Sequence, residues 1–117
     1  MSDSRPKINL LVLRSADIER AVSFYTALGM SFVSEKHGEG PTHYSATIDG
    51  LVLEIYPQIM GTPVAPIRFG IAVDSLDTTV RSLEVVGGSC VQQPHASKWG
   101  RRAVIKDCDG HVVELSE

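Results

Sequence analysis

One pattern in this chain occurs twice. Asp49-Gly50-Leu51-Val52-Leu53-Glu54-Ile55 and Asp109-Gly110-His111-Val112-Val113-Glu114-Leu115 lie 60 residues apart, identical at four positions and aliphatic at two more. A repeat of that period in 117 residues points to two copies of one supersecondary unit, each needing a neighbour to cover its apolar face. Upstream the copies continue. Leu13 to Gly29 reads as strand, cap, amphipathic helix and glycine, and Ile71 to Gly87 reads the same way at an offset of 58. A difference in loop length reconciles the two offsets.

The first helix opens at Asp17, a side chain suited to capping bare N–H groups. It sets Ile18, Ala21, Val22, Tyr25 and Leu28 on one face and stops at Gly29. The second opens at Asp74 or Ser75, carries Leu76, Val80, Leu83 and Val86 at helical spacing, and stops at Gly87-Gly88. Strands are expected at 8–14, 30–36, 43–49 and 51–57, then at 67–73, 89–93, 101–106 and 111–116. Each copy is therefore βαβββ. The fold class is α+β, with two tandem βαβββ modules at about 7–57 and 67–117 in one domain spanning 1–117. The linker, about 58–66, holds Gly61, Pro63 and Pro66, which interrupt regular structure.

Composition narrows the function. With 43% hydrophobic and 21% charged residues and a formal net charge of -3, the chain reads as an ordinary globular domain. At this length it needs neither a disulfide nor a structural metal to fold, so any metal would be functional. Cys90 and Cys108 are far apart, without metal-ligand spacing, and read as reduced thiols. Lys and Arg are scattered, so no nucleic-acid partner is expected. Apolar runs such as Leu10 to Leu13 fall far short of the roughly 20 residues that cross a bilayer. The start Met1-Ser2-Asp3-Ser4-Arg5 lacks a signal-peptide core, so no membrane partner and a cytoplasmic location are expected.

Asp49-Gly50 is a two-residue hairpin signal that pairs Ile48 with Leu51 and fixes the register outward. One face then collects Tyr44, Ala46, Ile48, Leu51, Leu53 and Ile55, suited to lie under the helices. The other collects His43, Ser45, Thr47, Val52, Glu54 and Tyr56. On the fifth strand Arg68, Gly70 and Ala72 alternate with Ile67, Phe69, Ile71 and Val73. The polar face either lines a cavity or meets water, as antiparallel sheets often do.

Two stretches carry a family likeness. Asn9-Leu10-Leu11-Val12-Leu13-Arg14, leading into Asp17-Ile18-Glu19-Arg20-Ala21-Val22-Ser23-Phe24-Tyr25 and Leu28-Gly29, resembles the opening signature of the vicinal oxygen chelate superfamily of glyoxalases, bleomycin-resistance proteins and extradiol dioxygenases. Trp99-Gly100-Arg101 followed by Asp107-Cys108-Asp109-Gly110-His111-Val112-Val113-Glu114-Leu115 resembles its closing elements, with Cys108 where proline is usual. The resemblance implies that the modules curl their mixed sheets into a cup, and that the protein is a homodimer. It also places the four metal-ligand positions of the metal-dependent members at Leu10, Glu54, Arg68 and Glu114.

Leucine cannot coordinate, and two carboxylates with an arginine between them make a poor site for an ion that wants three protein ligands and an open place. The expectation is that no cofactor is bound, with Arg68 filling the metal's space and neutralising both Glu54 and Glu114. The alternative is one divalent metal ion at Glu54 and Glu114. His43 could assist as a ligand, or line the cavity as a hydrogen-bonding residue opposite Tyr56. His37, His95 and His111 are expected to face solvent. Trp99 is either an aromatic wall for a ligand or a packing residue at the rim.

Two functions lead, with a regulatory or purely structural dimer module, its cup small and filled by side chains, as a third. The first is a glyoxalase/bleomycin-resistance-like binder of a small organic molecule, with Trp99 and Tyr56 as apolar walls, His43 beside them, and Arg68 and the glutamates as anchors. The second is a metal-dependent lyase, isomerase or dioxygenase, or a metal-free relative using Glu54 or Glu114 as a general base with Arg68 stabilising an oxyanion.

Overall fold

A computed structural model describes residues 5–117. The element order is β1 (Leu10–Ser15), α1 (Ile18–Leu28), β2 (Val33–Glu35), β3 (His43–Ile48), β4 (Leu51–Pro57), β5 (Arg68–Ala72), α2 (Leu76–Val85), β6 (Ser89–Ser97), β7 (Gly100–Lys106) and β8 (Val112–Ser116). The strands form two four-stranded mixed sheets, ordered β1-β4-β3-β2 and β5-β8-β7-β6. The fold is α+β and the two modules share one topology. In each the first strand runs parallel to the last, with Val12 opposite Glu54 and Gly70 opposite Glu114.

The helices start and stop where their sequence requires. The Asp17 carboxylate accepts the Arg20 N–H at 3.3 Å, and the Ser75 hydroxyl accepts the Thr78 N–H, which makes Ser75 the second cap. Gly29 closes α1 with φ of 121°, a region open to glycine and costly for other residues. Gly88 is required for a different reason. A Cβ there would lie 2.8 Å from the Leu83 carbonyl oxygen and 2.9 Å from both Ile105 Cδ1 and Phe24 Cε2.

One hydrophobic core runs through both modules. Leu13, Phe24, Tyr25, Leu53 and Ile55 from the first meet Leu76, Leu83, Ile105, Val113 and Leu115 from the second. Burying a side chain of this size stabilises by roughly 1.5–3 kcal/mol, so neither module could expose this face without large loss. Tyr25 joins the halves. It is fully buried, packs edge-on to Phe24, stacks on Phe69, and donates its hydroxyl to Asp107 Oδ2 at 2.6 Å. Burial first, and then the Asp107 charge, push this phenol far above its ordinary pKa.

The two Asp-Gly turns differ. Asp49 and Gly50 have φ of 47° and 82° and pair Ile48 directly with Leu51, a primed two-residue turn. Asp109-Gly110 instead lies inside a longer loop joining Lys106 to Val112. There the Asp107 carboxylate accepts the N–H groups of Asp109 and His111 at 2.9 and 3.0 Å. This organises His111, which is 2% exposed rather than facing solvent. Its Nδ1 accepts the Ile67 N–H and its Nε2 donates to the Arg14 carbonyl, so the imidazole bridges β1 and the entry to β5.

β6 is longer than its sequence suggests, running past Pro94 to Ser97. It is an edge strand whose register shifts between Cys90 and Gln92 and again between Gln92 and His95. Proline is tolerated where no ladder hydrogen bond is demanded of it. His95 therefore sits on a strand and not in a loop, though exposed as expected.

Candidate functional site

Alternation sends the helix-side residues inward and leaves a polar face on each sheet. On the first sheet, Ala46, Leu53 and Ile55 are buried, while Thr47 is exposed and Ser45, Val52 and Glu54 are half-buried. Leu10 and Val12 also open onto solvent, 50% and 40% exposed. His43 is the exception on this face, at 1% exposure.

His43 is enclosed by its neighbours. Its ring stacks on Tyr56 with centroids 4.1 Å apart and planes 8° from parallel, and the His37 ring lies 5.2 Å away. Nδ1 is 3.3 Å from the Pro41 carbonyl oxygen, which can only accept, so Nδ1 carries a proton. Nε2 points at three oxygens: the Tyr56 hydroxyl at 3.3 Å, Glu35 Oε1 at 3.3 Å and Glu54 Oε2 at 3.7 Å. Arg14 lies over the outer face of Tyr56, 5.0 Å from its centroid. Glu54, His43 and Tyr56 are thus brought together as the hairpin register expects.

The second sheet holds a separate cluster. Arg68 Nε donates to Glu114 Oε2 at 2.6 Å, and Arg102 Nη2 donates to Glu114 Oε1. Hydrogen bonding from Arg68 is the main reason the Glu114 carboxyl is held below the usual carboxylate range, with the Arg68 and Arg102 charges adding to it. Arg102 also lies 5.9 Å from the centre of the Trp99 ring, and the Lys98 ammonium lies 4.6 Å from it. Gly70, Ala72, Trp99, Arg102 and Glu114 line an open concavity of about 400 Å³.

Arg68 does not neutralise both glutamates. Among the described residues it pairs with Glu114 and makes no ion pair with Glu54. The reason is topological: β5 lies beside β8 in parallel register, whereas Glu54 belongs to the other sheet. Arg102, Glu35 and His37 escaped the sequence reading. Arg102 shares the face of Glu114 because Val104 pairs with Glu114, a register that a two-residue turn at Asp109-Gly110 would have shifted by one residue, so the sequence did not reveal it. Glu35 and His37 carried no readable signal: Glu35 is the direct cross-strand partner of His43, but β2 is only three residues long and its register has no turn signal to read, and His37 lies in the loop that follows.

The metal positions of metal-dependent relatives are a poor fit in this chain. Leu10 offers no donor atom, Arg68 is a permanent cation, and both Glu114 oxygens already accept from guanidinium groups.

Two repeated βαβββ units with paired mixed sheets, each presenting a polar face with a last-strand glutamate, define a glyoxalase-type α+β protein. The family model of the Glyoxalase/Bleomycin resistance protein/Dioxygenase superfamily matches residues 7–115, and the chain belongs to that superfamily. It is 30% identical to a probable chloroplastic lactoylglutathione lyase of Arabidopsis thaliana over 99% of its length, while spanning only 37% of that relative. Similar solved structures include TnmS3, an antibiotic binding protein from Streptomyces sp. CB03234. It has a TM-score of 0.76 and 22% identity, with 98% of each chain covered. Hypothetical protein SA1046 from S. aureus gives a TM-score of 0.75 at 21% identity, with 97% of each chain covered. At these identities the structural likeness establishes the fold. No helix among the described residues is long and apolar enough to cross a membrane.

Proposed function

We propose that the protein binds a small organic molecule against the polar face of the second sheet, without an ion at the superfamily's metal positions. The observation that carries this reading is the bracketing of Glu114 by Arg68 and Arg102 beside Trp99. Two guanidinium groups and one carboxylate leave a net positive charge. An exposed indole next to it offers a flat apolar surface, 71% accessible. A planar ligand bearing an anionic or oxygen-rich edge suits both. An antibiotic binding protein among the structural neighbours is consistent with this class of ligand.

A homodimer would complete the pocket. The exposed Leu10 and Val12 on the first sheet's polar face are the kind of surface a second copy covers, and the second sheet's concavity needs an opposing wall. Trp99 is the sole tryptophan, so binding should quench or shift its fluorescence directly. A panel of planar organic acids and antibiotics is to be titrated against wild-type protein and against R68A and R102A. Saturable quenching that weakens at least tenfold in either variant is expected. Quenching that survives both substitutions unchanged would place the ligand elsewhere and overturn the reading.

A second reading, a glyoxalase-like lyase or isomerase, is favoured by one observation, the likeness to a curated lyase across the whole chain. Glu54 would be its general base, because its carboxylate lies outside the arginine pair that engages Glu114.

A further inference from the structure

The environment of His43 calls for a cation. Its Nδ1 proton is committed to the Pro41 carbonyl, so the neutral imidazole presents a lone pair at Nε2. Facing that lone pair are the Glu35 and Glu54 carboxylates, which are also acceptors, at 3.3 and 3.7 Å. The Tyr56 hydroxyl has one proton to give and cannot satisfy all three. Three electron-rich groups converging beside an imidazole that is 1% exposed repel one another unless a positive charge stands between them.

His37 identifies the charge that fits. His37, His43 and Glu35 each offer a ligand atom, and all of these lie within 4.8 Å of one another. Ligands of a tetrahedral zinc ion stand about 3.4 Å apart, given bonds of roughly 2.0–2.2 Å, so the widest separation in the cluster needs to contract by up to about 1.4 Å. The exposed His37, in the turn that carries Gly38 and Gly40, is the member able to move. His43 already has the arrangement of a ligating histidine, one ring nitrogen donating to a backbone carbonyl and the other aimed at the ion.

We infer that Glu35, His37 and His43 form a binding site for a borderline divalent transition ion of the zinc or nickel class. Glu54 acts as an outer carboxylate. The three donors leave at least one coordination place open on the polar face of the first sheet. None of its three ligands is one of the superfamily's metal positions, of which only Glu54 stands nearby, and the site does not depend on the ligand proposed for the second sheet. The other mixed cluster, Asp107, Asp109 and His111, lacks this character: both His111 nitrogens and both Asp107 oxygens are already in hydrogen bonds within the fold.

The test is direct titration of tag-free protein with Zn(II) against a chromogenic competitor, with Co(II) substitution read by its visible d–d absorption. One ion per chain is expected, with a Co(II) spectrum of nitrogen and oxygen ligation free of thiolate charge transfer. H37A and E35Q alter exposed or half-exposed residues and should leave the fold intact by circular dichroism, yet weaken Zn(II) binding at least tenfold. H95A, on the other sheet, should bind like wild type. Absence of stoichiometric binding, or wild-type affinity in both H37A and E35Q, would overturn the site.

Discussion

Replacing Tyr25 with phenylalanine removes one oxygen from the centre of the molecule and tests how the two modules are held together. The ring would keep its contacts with Phe24 and Phe69, but Asp107 Oδ2 would lose the Tyr25 hydroxyl that donates to it at 2.6 Å, while Oδ1 keeps the N–H groups of Asp109 and His111. A hydrogen bond to a charged group contributes about 1.5–3 kcal/mol, and a buried carboxylate oxygen left without a partner puts the expected loss near 2 kcal/mol. At about 2.1 cal/mol/K per residue, the unfolding entropy of this chain is about 0.25 kcal/mol/K. The melting temperature should therefore fall by roughly 8 °C.

The same pair predicts a pH signature. Burial and Asp107 hold the folded-state phenol above its ordinary value, so the stabilisation is fully present below about pH 10, the unfolded-state pKa, and is lost above it as the unfolded chain ionises. Phenylalanine has no such proton, and the other titrating groups cancel between the two proteins. The stability gap between wild type and Y25F, from urea unfolding followed by far-UV circular dichroism at one protein concentration, should hold steady from pH 7 to 9. It should then narrow by about 1.4 kcal/mol at pH 11. An equal gap at pH 8 and pH 11, or no gap at any pH, would refute the role given to this hydroxyl.

Two further perturbations probe the fold and the second sheet. G88A should cost about 1–3 kcal/mol, since the new methyl group meets a backbone carbonyl and two core side chains inside 3.0 Å, and a neutral result in urea would mean this contact relaxes freely. R68A should raise the Glu114 pKa toward about 4.3 in a carbon-13 NMR titration, because the principal hydrogen bond that lowers it is gone. In wild type that depressed pKa contributes stability above about pH 4.3 and loses it as the pH falls, so the variant's acid limb should be flatter. An unmoved Glu114 would mean that Arg102 alone sets its charge.

Much of the fold was legible because the repeat supplies its own check. The Asp49-Gly50 turn fixed the pairing of Ala46 with Leu53 and Ser45 with Glu54, and with it the neighbours of His43. The same dipeptide misleads in the second module, where the Asp107 side chain caps a longer loop and draws His111 inside. Sequence gives register within a hairpin and says little about how far apart two hairpins stand. Sequence alone therefore allows Arg68 to serve both glutamates, whereas only Glu114 shares its sheet. Glu35 and His37 were invisible for a related reason: a three-residue strand gives no register to read, although Glu35 pairs directly with His43, and His37 lies in a loop without periodicity.

The repeat keeps one glutamate in each module and changes everything that holds it. A carboxylate on a half-buried strand must find positive charge or donors nearby, and each sheet answers this locally. Val12 and Gly70 occupy matching places beside the two glutamates, so neither strand supplies the partner at that position. In the first module the group beside the carboxylate is an imidazole from β3, two residues along from Ser45, and a second acid from β2 reaches it as well. In the second module the groups are guanidinium ions from β5 and β7, which saturate the carboxylate and exceed its charge. The first arrangement is short of positive charge and the second has a surplus. Ligands of opposite sign are therefore favoured on the two sheets, a cation beside His43 and an anionic or oxygen-rich molecule beside Trp99. A single ion shared by Glu54 and Glu114 would have to displace Arg68 and Arg102 from bonds they already make.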